Sequence, residues 1–248
     1  MKVGRAFFWP PKSLTLSHAA YQPLENHRGN IIKFAEAWIK KDGELPGGRL
    51  PSEVWNWIEE AAHNHDRGKA ETFRITKERD SFQYSFRGHR FRTPEGMNLF
   101  AELIEQGHHD YSTPEIVRAA ARIRRDGKEE ERNAYHHFPE ALYVFSMCDQ
   151  LEAETAVRVF YGESESRAFL DFILSGAEQQ GEAFPFGKQV TFTLDPFPFK
   201  GPITNHIEYW VWKNPPSRED ALTKVGTSEA GSPELSLYSV EVTICPLA

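Results

Sequence analysis

His65 and Asp66 stand next to each other in the chain, and this pair carries the clearest chemistry in the sequence. An imidazole can bind one metal ion while the neighbouring carboxylate bridges to a second ion. Other histidines and an aspartate could complete such a site, and the candidate ligands are His27, His65, Asp66, His89, His108, His109 and Asp149. These ligand types suit divalent transition metals, and two such ions about 3.5–4 Å apart can clamp a phosphodiester and activate water.

Two predicted helices lead to the first of these ligands. Residues 26–41, which include His27, have apolar residues at helical spacing. Ser52 is a good N-cap for a second helix, whose apolar face continues to the His65–Asp66 pair. The sequence therefore predicts that the pair lies on a helix.

Further helices are predicted to carry the remaining ligands. One covers residues 94–106 and ends at Gly107, so that His108 and His109 follow a helix end. A long apolar helix over residues 138–160 contains Asp149, and two more helices are predicted over residues 113–125 and 167–178. Facing helices of a bundle commonly supply the ligands of a metal site, and we expect that arrangement here.

The rest of the chain has a different character. We interpret residues 1–24 as an arm or loop packed on the domain, and residues 70–93 as a loop or short extended segment. Strands with a period of two follow near the end, at residues 190–194, 207–212 and 235–244. The predicted fold is mainly α, with a helical domain over residues 1–182 and a small antiparallel β extension over residues 183–248.

A family resemblance rests on three motifs. The sequence His65-Asp66-Arg67-Gly68-Lys69, followed by Phe73, resembles the His-Asp-x-Gly-Lys signature of the HD nuclease domain of type I CRISPR-associated proteins. Gly107-His108-His109 is similar to its Gly-His-His step, and Cys148-Asp149-Gln150-Leu151 to its Ala-Asp-x-Leu element. The Arg-His-Glu of that family reads Arg87-Gly88-His89-Arg90 here, and the resemblance covers about residues 15 to 180.

The resemblance implies an HD-domain helical bundle that holds two divalent transition-metal ions, with Mn, Ni, Co, Fe and Zn as candidates. One ion would be bound by His27, His65, Asp66 and Asp149. The other would be bound by Asp66, His89, His108 and His109, so that Asp66 is shared. Catalysis would involve Asp66 together with Lys69, which would contact the scissile phosphate or the nucleophile, a hydroxide held between the ions.

The resemblance also implies a substrate and partners. Single-stranded DNA would be cleaved in CRISPR antiviral defence, together with a separate helicase subunit and a CRISPR effector complex. Two other functions stay open: an HD phosphohydrolase acting on a nucleotide or cyclic nucleotide, and a degenerate HD domain acting as a structural subunit. His136 and His137 form a second histidine pair, for which a loop at a helix start is the favoured interpretation.

Composition excludes several classes of protein. The chain has 248 residues and a net charge of −7, so strong independent binding to nucleic acid is not expected and another protein would deliver the strand. No Gly-x-x-x-x-Gly-Lys-Ser/Thr stretch occurs, which argues against an ATPase. No apolar run reaches about 18 residues, so no membrane helix is expected. Cys148 and Cys245 are far apart, and we expect a reducing cytoplasm.

Overall fold

A computed structural model of the chain describes residues 2–10, 17–40, 50–67, 73–78, 81–86, 93–110, 112–162, 190–194, 199, 201–213 and 235–246. These residues are mainly α-helical, with one larger sheet and one separate pair of strands. The helices are α1 (Leu24–Lys40), α2 (Ser52–Asn64), α3 (Leu99–Gly107), α4 (Thr113–Asp126), α5 (Glu129–Ala134) and α6 (Phe138–Tyr161), with a 3₁₀ turn at Tyr135–His137.

The strands are β1 (Val3–Trp9), β2 (His18–Pro23), β3 (Phe73–Glu78), β4 (Ser81–Phe86), β5 (Val190–Leu194), β6 (Ile203–Lys213) and β7 (Ser236–Pro246). The larger sheet has the order β1-β2-β6-β7-β5. Its first four strands run antiparallel to their neighbours, whereas β5 is parallel to β7. The other sheet is the antiparallel pair of β3 and β4.

The predicted helices α1, α4 and α6 are confirmed. The helix predicted over residues 94–106 is present as α3, but it begins at Leu99, with Asn98 as its N-cap. The N-cap of α2 is Pro51, so Ser52, the predicted N-cap, is the first helical residue. In α2 the buried residues recur every three or four positions, which places one apolar face against the core. α6 is buried around most of its circumference and is therefore the central helix. The helix predicted over residues 167–178 lies outside the described residues.

Two predictions about extended structure were wrong. Residues 1–24 do not form an arm: they contain β1, β2 and the start of α1. These strands are buried on both faces, so their sequences lack the alternation that marks a half-exposed strand. Residues 70–93 contain β3 and β4, a hairpin where a loop or one short extended segment was expected.

The C-terminal strands are confirmed, but they do not form a sheet of their own. The expected antiparallel pairing holds for β6 and β7 and is wrong for β5, which is parallel to β7. β6 pairs with β2 on one side and with β7 on the other, so the sheet combines both ends of the chain. The sheet thus contains strands from both sides of the expected boundary between residues 182 and 183, and the boundary itself stays a prediction. Within the described residues, no helix combines the length and apolar character needed to cross a membrane.

The core lies between the inner face of the sheet and the helices. α1 contacts β1, β2 and β6 as well as α2 and α6, so it links the sheet to the bundle. Phe7 of β1 points into this core and stacks on Phe160 of α6, with ring centroids 5.0 Å apart. Its neighbours Ala6 and Phe8 belong to a second apolar cluster on the other face of the sheet. Arg5 is two residues before Phe7, and its side chain is directed toward the helices.

Candidate metal centre

The first candidate ligands are positioned by the start of α1 and the end of α2. His27 is the fourth residue of α1 and is fully buried. A Cβ at Gly4 of β1 would lie only 3.2 Å from the Cα of Leu24, the first residue of α1, and 3.4 Å from the Cβ of His27. Glycine at this position therefore lets β1 pass close to the site.

The sequence predicted that the His65–Asp66 pair lies on a helix, and this prediction was wrong. The pair lies just past the end of α2. α2 ends at Asn64, and Asp66 adopts a φ of 57°, in the left-handed region that non-glycine residues rarely occupy. The backbone N–H of Asp66 donates a hydrogen bond of 3.0 Å to Glu105 Oε1 of α3, and Arg28 donates to the carbonyl of His65. Such a costly backbone conformation is found most often at functional sites.

Four side chains from three segments bring one donor atom each to a common point. His27 Nε2 lies 3.6 Å from Asp66 Oδ2 and 3.4 Å from Asp149 Oδ1. His65 Nε2 lies 3.1 Å from the same Asp66 oxygen and 3.5 Å from the same Asp149 oxygen. This is the set that the family resemblance implied for one ion.

The spacing of these atoms fits a metal ion. Ligand atoms about 2.0–2.2 Å from a tetrahedral ion lie about 3.3–3.6 Å from one another. Each histidine nitrogen lies 3.1–3.6 Å from both carboxylate oxygens, which is close to that range. His27, His65 and Asp66 place three possible ligand atoms within 4.8 Å of one another, so an ion held by these three side chains would have Asp149 beside it.

Buried atoms without a well-formed hydrogen bond point the same way. Within the described part of the chain, these are His27 Nε2, His65 Nε2 and Asp149 Oδ1, which meet only one another, Asp66 and Arg5, at 3.1–3.7 Å. Buried polar atoms are nearly always hydrogen-bonded, and each exception needs an explanation. A bound cation supplies one, because it would accept the lone pairs of all three atoms.

A second group of ligand types adjoins the first. One donor atom from each of His108, His109 and Asp149 lies within 4.8 Å of the others. His108 is buried, whereas His109 is exposed. The resemblance implied that Asp66 binds an ion together with His108 and His109, but the carboxylate grouped with these histidines is that of Asp149. The sharing of Asp66 between two ions therefore stays a prediction. His89 and Lys69 lie outside the described residues.

Charges shift the ionisation of the buried groups. Burial favours the neutral form of His65, but Asp66, Glu105 and Asp149 together raise the pKa of this imidazole well above 6.5. Burial and the neighbouring His65 lower the pKa of His108 to about 4. Burial would raise the pKa of Asp149, yet His65, His27 and Arg5 hold it well below its usual range. Asp149 is therefore ionised, as a metal ligand must be.

Three residues near the site were not found from the sequence. Glu105 stands three residues before His108 on α3, and Glu152 stands three residues after Asp149 on α6. Residues three apart share a helix face, so this spacing could have identified both glutamates. Arg5 carried no such signal, because its strand was interpreted as an arm; it lies 3.7 Å from Asp149 Oδ1 and 3.6 Å from Glu152 Oε2.

The other histidine pair lies elsewhere. His136 and His137 form the 3₁₀ turn before α6, and His136 is exposed. The His136 ring contacts the rings of Tyr135 and His137, and neither histidine belongs to a group of ligand types among the described residues. The turn is the helix-start position expected for this pair.

Buried His, Asp and Glu side chains of this chain could thus hold a metal ion. Comparisons with protein-family models, curated proteins and solved structures found no match for the chain.

Proposed function

We propose that this protein is an HD-type, metal-dependent hydrolase of phosphodiester bonds that acts as a nuclease on single-stranded DNA. The observation that carries the proposal is the buried cluster of His27, His65, Asp66 and Asp149, in which each histidine nitrogen lies 3.1–3.6 Å from both carboxylate oxygens. A separate helicase subunit and a CRISPR effector complex are the proposed partners. The acidic net charge of −7 is the reason for expecting another protein to deliver the strand.

The residues divide into two groups of ligands. His27, His65, Asp66 and Asp149 would hold one ion, and His108 and His109 would hold another together with Asp149. Divalent ions at such positions polarise a phosphoryl oxygen and lower the pKa of water toward about 7. The protein itself supplies fixed ligand atoms and a buried environment on one side, while the exposed His109 leaves the other side open to solvent and substrate.

The balance of buried charge favours an anionic substrate. Asp66, Glu105, Asp149 and Glu152 supply four carboxylates, whereas Arg5 and Arg28 supply two guanidinium groups. A bound metal ion displaces the proton that the carboxylates favour on His65. With both ligand histidines then neutral, one divalent ion would cancel the remaining negative charge. A second ion would leave the site positive, and buried charge of either sign is costly unless it is compensated. A phosphodiester is an anion that could provide this compensation.

The test is hydrolysis by the full chain after loading with Mn²⁺ or Ni²⁺. Circular single-stranded DNA, duplex DNA, nucleoside triphosphates and cyclic nucleotides are offered separately. We expect cleavage of the circular single strand, loss of cleavage on chelation, and loss in Asp66→Ala. His136→Ala serves as the matched histidine control and should cleave like the unaltered protein.

Each alternative has its own outcome in this assay. Hydrolysis of nucleotides without DNA cleavage would identify the small-molecule phosphohydrolase instead. Metal binding with no hydrolysis of any substrate would overturn the proposed enzyme and leave a structural subunit with an HD-type fold.

A further inference from the structure

His27 and His65 face the candidate ion through Nε2, and each contacts a buried glutamate through its other ring nitrogen, Nδ1. Glu152 Oε2 accepts a hydrogen bond from His27 Nδ1, and Glu105 Oε2 lies 2.9 Å from His65 Nδ1. The two glutamates come from different helices, α6 and α3, and are only 1% and 3% exposed. Carboxylates in this position fix the orientation and the protonated nitrogen of a metal-binding imidazole.

Both glutamates also use their second oxygen as an acceptor. Glu152 Oε1 accepts from the side-chain amides of Gln22 and Asn30. Glu105 Oε1 accepts from the backbone N–H of Asp66 at 3.0 Å. Glu152 therefore faces three donors and Glu105 two, and in each case one donor is an imidazole Nδ1–H.

The other donors cannot easily reverse their roles. The backbone N–H of Asp66 can only donate. The amide nitrogen of Gln22 also donates to Asn26 Oδ1 at 3.1 Å, so turning this amide around would lose two hydrogen bonds. Asn26 in turn accepts from the backbone N–H of Glu208 on β6, which fixes its oxygen in place.

We infer that Glu152 and Glu105 are positioning residues that fix His27 and His65 with the proton on Nδ1 and the Nε2 lone pair directed at the ion. This inference rests on the proposed metal centre. Gln22 of β2 and Arg5 of β1 both contact Glu152, which contacts His27. The sheet therefore supports the ligand on α1 through Glu152.

Glutamine cannot replace either glutamate. An amide has one oxygen and one NH₂, whereas each site presents at least two donors. In Glu152→Gln or Glu105→Gln, the NH₂ must either oppose a second donor or donate to the imidazole. Donation to Nδ1 would move the ring proton to Nε2, where it blocks metal binding.

The chain contains a matched control for this substitution. Glu131 of α5 is 2% exposed, and its two oxygens accept from the backbone N–H groups of Phe100 and Lys128. Glu131→Gln therefore produces the same conflict between donors in a buried carboxylate that contacts no histidine. It measures the structural cost alone.

The experiment measures Zn²⁺ affinity of the full chain by competition with a chelator, and unfolding by urea. Glu152→Gln and Glu105→Gln should weaken Zn²⁺ binding about 10–100-fold, the usual loss for such partners. Glu131→Gln should lose comparable stability and keep the affinity of the unaltered protein. Two-bond ¹H–¹⁵N spectra of the Zn²⁺-loaded protein should show His27 and His65 bound through Nε2 with Nδ1 protonated.

The outcomes separate the two proposals. No Zn²⁺ binding by the unaltered chain would sink the metal centre itself. Binding with unchanged affinity in both site variants, or coordination through Nδ1 in the unaltered protein, would overturn the positioning role and leave the metal centre standing. The spectra of the unaltered protein decide the question even where a variant does not fold.

Discussion

The two groups of candidate ligands differ in how firmly they are held. The first, His27 and His65 with two aspartates, is buried, and each imidazole is supported by a glutamate. The second comprises the His108–His109 pair with Asp149, and its His109 is exposed. A buried and supported group favours a tightly bound ion, whereas an exposed one leaves positions for substrate and solvent. We therefore expect one resident ion and one that is bound more weakly.

Asp149 is the residue whose loss should have the largest effect, because its carboxylate belongs to both groups. In Asp149→Ala we expect both ions to be lost and the rate of DNA cleavage to fall more than about 100-fold, beyond the loss caused by a supporting partner alone. Elemental analysis after loading and a cleavage assay check this.

Asp66→Ala tests whether Asp66 or Asp149 is the ligand shared by the two ions. Asp66 lies with His27 and His65, so this variant should also lose cleavage but retain an ion at the His108–His109 group. Loss of both ions in Asp66→Ala would instead show that Asp66 is the shared ligand, as the family resemblance implies. Retained helical circular dichroism is expected in either case, since the apolar residues of α2 are unchanged.

The next largest effect on the cleavage rate should distinguish the His108–His109 pair from the His136–His137 pair. His108→Ala or His109→Ala should reduce cleavage at least about tenfold, because each removes a ligand type beside Asp149. His136→Ala and His137→Ala alter the 3₁₀ turn before α6 and should leave the rate within about twofold, as is usual for surface changes away from special features. The opposite ranking in measured rates would mean that the second group is wrongly assigned.

The sequence was informative where chemistry and helical periodicity coincide. His27, His65, Asp66 and Asp149 were chosen by residue type and motif, and the structure brings these four together because three helices with strong apolar faces meet there. The end of α2 was missed because His65 leaves the helical conformation, with φ −52° and ψ 136°, and Asp66 follows with a positive φ; apolar periodicity reveals neither change.

Other features depend on contacts between distant parts of the chain. β1 and β2 are buried on both faces, so they carry no alternation, and β6, which pairs with β2, lies about 190 residues later in the sequence. Arg5 lies on β1, which pairs with the other edge of β2, so its position beside Asp149 depends on the formation of this sheet. Glu105 and Glu152 share helix faces with candidate ligands at a spacing of three, but only the folded structure shows that they contact the Nδ1 atoms of His65 and His27.

Ion stoichiometry tests the difference between the groups directly. Titration of the metal-free chain with Mn²⁺ should resolve two binding events of unequal affinity, with about two ions per chain at saturation. His65→Ala should remove the tighter event, and His109→Ala the weaker one alone. Two events of equal affinity, or removal of the tighter event by His109→Ala, would contradict the assignment of the resident ion to the buried group.

Arg5→Met should have the smallest effect on ion affinity, and it should raise this affinity, whereas the other variants lower it. The guanidinium lies 3.7 Å from Asp149 Oδ1 and 3.6 Å from Glu152 Oε2, so it balances carboxylates when no cation is present but repels a bound one. Without metal, the free energy of unfolding should fall by on the order of 3 kcal/mol, because buried carboxylates lose their partner. Zn²⁺ affinity should rise by less than about tenfold, since the repulsion disappears.

Urea unfolding with chelator and with Zn²⁺, together with chelator competition, measures both quantities in Arg5→Met. Arg118→Met is the control, because Arg118 forms an exposed ion pair with Glu115 that contributes at most about 1 kcal/mol. Weaker Zn²⁺ binding in Arg5→Met would mean that Arg5 holds Asp149 and Glu152 in position rather than balancing their charge. The buried group would then depend on the sheet for its geometry as well as for its electrostatics.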